Sequence, residues 1–66
     1  SILMINYSEK IKEYRERKFL TQKELAKILG VSSVTISRWE KGKYEPTMQL
    51  KKTIYKLFLE AEMKVE

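Results

Sequence analysis

Only two glycines and one proline interrupt the 66 residues, and they stand at Gly30, Gly42 and Pro46. These residue types end helices and shape turns, so their positions divide the chain into stretches of regular structure. Between them, apolar residues recur at helical spacing. Tyr7, Ile11 and Tyr14 fall at i, i+4, i+7 and predict a first helix over residues 8–18, capped by Ser8. Thr21, Gln22, Lys23 and Glu24 form a capping-box pattern that opens a second helix, with Leu25, Ala26 and Leu29 inward and Gly30 as its stop. Ser32 caps a third helix that turns Ile36 and Trp39 inward and ends at Gly42. Glu45, preceding Pro46, is held out of helical geometry. Thr47 then caps a fourth helix carrying Leu50, Ile54, Leu57, Phe58 and Ala61. No stretch alternates long enough for a convincing strand, and residues 2–5 are the one candidate for a short extended segment.

A chain this short makes one domain with a marginal core. The expected division is an N-terminal extension at 1–6, a folded unit at 7–60 and a tail at 61–66. There is no cysteine and no histidine. Disulfides, thiolate metal sites and cysteine nucleophiles are therefore excluded, along with the commonest general base. Stability has to come from well-made helices or a partner. Without Cys, His or Asp, only Glu and Lys could carry acid–base chemistry, and no close carboxylate pair stands out. The reading is not an enzyme, with no metal and no cofactor.

Fourteen Lys and Arg stand against nine acids, all Glu, for a formal net charge of +5. That balance suits a polyanionic partner, although a modest positive charge also simply keeps a small protein soluble. No apolar run approaches the roughly twenty residues of a membrane span, and the first six residues carry no basic leader. Glu9, Glu13 and Glu16 interrupt the positive face of the first helix, which argues against a membrane surface. The expectation is a cytoplasmic protein, bacterial or phage-type and associated with the nucleoid.

Two short helices separated only by Gly30, Val31 and Ser32 must cross steeply. Ala26 then sits where they come closest, and a larger side chain would push them apart. Alanine is also simply a good helix former, so the signal lies in the combination of capping box, Ala26, Gly30, Val31 and Ile36 at this spacing.

The run from 20 to 42, LTQKELAKILGVSSVTISRWEKG, resembles the Cro and phage-repressor helix-turn-helix family, the Xre type, with the resemblance extending over about residues 11–58. It implies an all-α bundle of four or five helices, sequence-specific binding to double-stranded DNA, and a homodimer. Many family members have a fifth helix, for which little chain remains after the fourth.

On this resemblance the third helix docks in the major groove, with its first residues against base edges. Ser33, Val34, Ser37 and Arg38 are the candidate base contacts. Val34 can offer only apolar contact, suited to a thymine methyl, and its alternative is the edge of the core. Arg38 suits bidentate contact with guanine O6 and N7, or a phosphate clamp. Gln22, Thr35, Lys41, Lys43 and Tyr44 are the candidate phosphate contacts. Gln22 opens the second helix, where N–H groups favour phosphate oxygens, and in the family it bridges a phosphate and the recognition helix. Lys41, Lys43 and Tyr44 flank the loop that in the family lies along the backbone. The resemblance also implies an architectural bridge between Arg15 and Glu40. Trp39 reads as core or loop support.

The leading function is a DNA-binding transcriptional regulator, most simply a repressor. The alternative is the DNA-binding antitoxin of a toxin–antitoxin pair, with Tyr55, Phe58 and Met63 on the fourth helix as a surface for a protein partner.

Overall fold

The computed structural model describes residues 5–63. Four helices follow in order: α1 (Tyr7–Arg17), α2 (Gln22–Leu29), α3 (Ser33–Glu40) and α4 (Met48–Glu60). The described residues hold no strand and no fifth helix. Of the extended segment expected at 2–5, only Ile5 is described. It lies in a bend and is buried.

Each helix starts and stops by the same local chemistry. At the N-termini a short polar side chain accepts from the backbone N–H three residues on, which satisfies a donor the helix cannot. Thr21, Ser32 and Thr47 do this for α2, α3 and α4, and Thr21 with Glu24 completes the full capping box. For α1 the cap is Asn6, not Ser8. Asn6 Oδ1 accepts from Glu9 N, and the Ser8 hydroxyl lies inside the helix and donates to the same oxygen at 2.8 Å.

At the C-termini all four helices close with one paired hydrogen-bond pattern. Leu20 N donates to Arg15 O and Phe19 N to Glu16 O after α1. Val31 with Gly30, Lys43 with Gly42, and Met63 with Glu62 repeat it after α2, α3 and α4. This is the Schellman arrangement, which needs one left-handed residue. Gly30 and Gly42 take it at φ 73° and 76°, while Phe19 and Glu62 take it at 57° and 56°. A Cβ on either glycine would meet nothing within 4 Å, so the glycines serve the backbone and not the space.

Phe19 is therefore a bulky residue in a strained conformation, and it is 93% exposed. Its side chain gives the core almost nothing in return. Phe19→Gly is expected to stabilise the domain by about 0.5–1 kcal/mol, after allowing for the extra entropy glycine gives the unfolded chain. That is a rise of about 2–8 °C in Tm for a domain this small. A thermal melt that is unchanged or lower would mean the ring makes a stabilising contact.

Ile11, Leu25, Ile36 and Phe58 fill the centre of the core, with Tyr7, Tyr14, Ala26, Trp39 and Ile54 around them. The Tyr7 and Tyr14 rings each lie 6.1 Å from the Phe58 ring, in tilted pairs. Burial pushes both phenols above their ordinary range. The core also takes in Ile5, Ala61 and Met63, beyond both ends of the 7–60 unit.

The surface expected for a protein partner is not there as drawn. Phe58 is 1% exposed and Met63 5%, because the turn after α4 folds Met63 back onto the bundle. Tyr55 is half-buried. No helix among the described residues is long and apolar enough to cross a membrane.

Candidate nucleic-acid interface

The interface is built on α3, which packs against both α2 and α1. Ile36 is fully buried and Trp39 nearly so, which fixes the rotation of the helix about its axis. With those two inward, Ser33, Val34, Arg38 and Lys41 stand exposed and Ser37 half-exposed on the opposite face. These five positions follow i, i+1, i+4, i+5, i+8, one continuous stripe. Val34 is 56% exposed, so its place is on that stripe and not at the edge of the core. The face offers two hydroxyls, one apolar contact and two cations, and contains no carboxylate.

Ala26 is buried within α2, which packs against α3. Ser32 caps α3, and its hydroxyl lies 2.9 Å from that of Thr35. The Thr35 side chain is half-buried and engaged in this cap.

Behind the stripe, three polar side chains form one network. Arg15 Nε donates to Glu40 Oε2 at 2.8 Å and Arg15 Nη2 to Glu40 Oε1 at 3.1 Å, a two-pronged pair between α1 and α3. Arg15 Nη1 also donates to Leu20 O, which ties the turn before α2. Gln22 Nε2 donates to Glu40 Oε1 at 3.2 Å. The amide keeps a second hydrogen and its oxygen for another partner. Gln22 thus stands at the N-terminus of α2, joined to the end of the exposed helix. Hydrogen bonding to Glu40 holds the Arg15 guanidinium above its already high ordinary pKa.

The loop after α3 is fixed at both ends. Gly42 turns the chain, Lys43 N donates to Arg38 O at 3.1 Å, and Pro46 is buried. Glu45 pairs with Lys51 at 3.7 Å, and Lys51 Nζ lies 5.2 Å from the centre of the Tyr7 ring. Lys43 and Tyr44 remain exposed on this framework, beside the stripe that Lys41 ends. Sequence reasoning did not find one contact here: the Arg38 guanidinium lies over the Tyr44 ring, 5.5 Å from its centre. The two residues stand six positions apart across the turn, and no periodicity marks them.

The comparisons with known proteins agree with this fold. A family model described as helix-turn-helix matches residues 11–50, more than half of the chain. An uncharacterized HTH-type transcriptional regulator of Methanocaldococcus jannaschii is 53% identical over 49 residues, 74% of this chain and 74% of that one. The HTH-type transcriptional activator BcrR of Enterococcus faecalis is 44% identical over 54 residues, 82% of this chain but only 26% of BcrR. The type II methyltransferase M.SsoII of Shigella sonnei is 51% identical over 45 residues, 64% of this chain and 12% of the methyltransferase. No solved structure gives a significant match. The match over α1 to the start of α4, with the capped α2–α3 pair and the exposed α3 at its centre, shows that the chain belongs to the Xre/Cro-like helix-turn-helix family.

Proposed function

We propose that this chain is a sequence-specific DNA-binding transcriptional regulator that lays α3 in the major groove of duplex DNA. The observation that carries the reading is the carboxylate-free stripe of Ser33, Val34, Ser37, Arg38 and Lys41, flanked by Gln22 and by the fixed Lys43–Tyr44 loop. Base edges need hydrogen-bond donors, acceptors and an apolar contact, while phosphates need cations and amide or hydroxyl donors. Ser33, Val34, Ser37 and Arg38 supply the first set, and Lys41 at the end of the stripe supplies the second together with its borders. Two copies on a two-fold-related operator place one α3 in each half-site, and blocking a promoter there is repression. The working compartment is the cytoplasm, and the chain acts by binding alone. The relatives that match over most of their own length carry names of transcriptional regulators, and the methyltransferase matches over 12% of its length, outside any reach of its chemistry to this chain. With Phe58 and Met63 in the core, no observation favours the antitoxin reading.

Selection from random duplex DNA is expected to return a two-fold-related consensus. On that site Arg38→Ala should weaken binding by about 1–3 kcal/mol and flatten preference at one base pair of each half. Lys43→Ala should weaken matched and mismatched duplexes alike. Recovery of no consensus, with no binding to any duplex, overturns the reading. Equal losses on all sequences for Arg38→Ala would make Arg38 a phosphate clamp.

A further inference from the structure

Arg38 is exposed on the stripe and makes no hydrogen bond or ion pair with its side chain among the described residues. Its guanidinium nevertheless has a fixed neighbour, the ring of Tyr44. Tyr44 is 60% exposed, so packing in the core does not account for the place of its ring. Its position follows from the backbone. Gly42 at φ 76° turns the chain, Lys43 N closes onto Arg38 O, and the Glu45–Lys51 pair and buried Pro46 hold the far side of the loop. An aromatic face is thereby set beside the one long, flexible side chain among the proposed base contacts.

We propose that Tyr44 is a positioning residue for Arg38, its ring selecting the guanidinium pose from which Arg38 reads its base pair. The proposal rests on the reading that α3 enters the major groove. An arginine loses much rotamer freedom when it docks bidentately, and a planar guanidinium stacks well on an aromatic face. A guanidinium already confined to one side loses less on docking, and the gain falls only on the base that accepts both prongs. The role is distinct from phosphate donation. A phosphate contact needs the hydroxyl, whereas the stack needs only the ring.

The two roles separate in the pair Tyr44→Phe and Tyr44→Ala. The ratio of affinities for the selected duplex and for one altered at the Arg38 position is the readout. Tyr44→Ala is expected to lower this ratio about two- to fivefold, the size of an exposed cation–π contact, while Tyr44→Phe keeps it within error. In an Arg38→Ala background, Tyr44→Ala should leave the ratio unchanged. In the free protein, the Arg38 Nε–Hε resonance should be shifted by the ring in the wild type and in Tyr44→Phe, and should return to its ordinary position in Tyr44→Ala. Equal losses in the Phe and Ala variants, an undiminished ratio in Tyr44→Ala, or an unshifted resonance in the wild type would each overturn the proposal while leaving DNA binding intact. Absence of binding to every duplex overturns the underlying reading as well.

Discussion

Raising the salt from 50 to 200 mM is expected to weaken binding to duplex DNA by about 10³–10⁴-fold. Each phosphate neutralised by a cation releases condensed counterions, so log K falls with log salt at a slope of about −0.9 per phosphate. Lys41, Lys43 and Arg38 stand exposed on or beside the stripe, with Gln22 and Tyr44 as neutral donors at its borders. Two copies that together neutralise six to eight phosphates would give a slope of about −5 to −7. The slope also reads stoichiometry. One copy on a half-site gives about half of it, and a fourfold change in salt then costs only about 30–150-fold. Fluorescence titrations of one labelled duplex at four salt concentrations give the number directly. A slope near zero would remove the electrostatic footing of the interface, whatever the base preferences. Lys43→Ala should reduce the slope by about one per copy bound, and Val34→Ala should leave it unchanged.

The two ends of the helix-turn-helix unit were legible because their signals are local. Thr21 with Glu24 and Ser32 with Thr35 N are contacts between near neighbours, and Gly30 and Gly42 occupy the left-handed positions that glycine tolerates best. The same turn chemistry after α1 and α4 is carried by Phe19 and Glu62, which send no such signal. There the hydrogen bonds of Leu20 and Met63 and the burial of Met63 outweigh the cost of a positive φ, a balance no residue preference reveals. Asn6 and Ser8 are both good caps, and the structure decides for Asn6, whose Oδ1 accepts from Glu9 N.

The exposure of the stripe on α3 followed from periodicity, which placed Ile36 and Trp39 inward, while the resemblance named its candidate contacts. Its supports did not. The link between Arg15 and Glu40 joins residues 25 apart in sequence, and only the family resemblance anticipated it. Resemblance likewise gave Gln22 a place beside α3, without the Glu40 carboxylate as its partner. The Arg38–Tyr44 contact depends on how one glycine turns the chain, which neither spacing nor resemblance specifies.

Arg15→Ala is expected to cost about 2–4 kcal/mol, the largest loss of stability from any single surface-facing change in this domain. Glu40 shows why. Its side chain is only 7% exposed and that of Arg15 18%, so the pair is largely withdrawn from water. Without Arg15, the carboxylate keeps the Gln22 amide as its donor, and Leu20 O loses the Nη1 hydrogen bond. Breaking such a pair exposes the desolvation of the charge left behind, a cost greater than the net worth of the intact pair. A domain of this size holds only about 3–10 kcal/mol in total, so the variant should unfold at far lower urea. Removing both charges should recover part of the loss. Arg15→Met in a Glu40→Gln background is expected to cost less than the sum of the two single changes by at least about 1 kcal/mol. Urea titrations of the four proteins close the cycle, with equal m-values as the check that the unfolded reference is shared. Any rescue of DNA binding should be incomplete, because in Glu40→Gln an uncharged amide oxygen replaces the carboxylate that accepts from Gln22 Nε2 at the head of α2. The double variant should therefore regain stability yet still bind every duplex more weakly than the wild type. A coupling energy of zero, with both single variants near wild-type stability, would mean that α1 and α3 are not joined through these side chains.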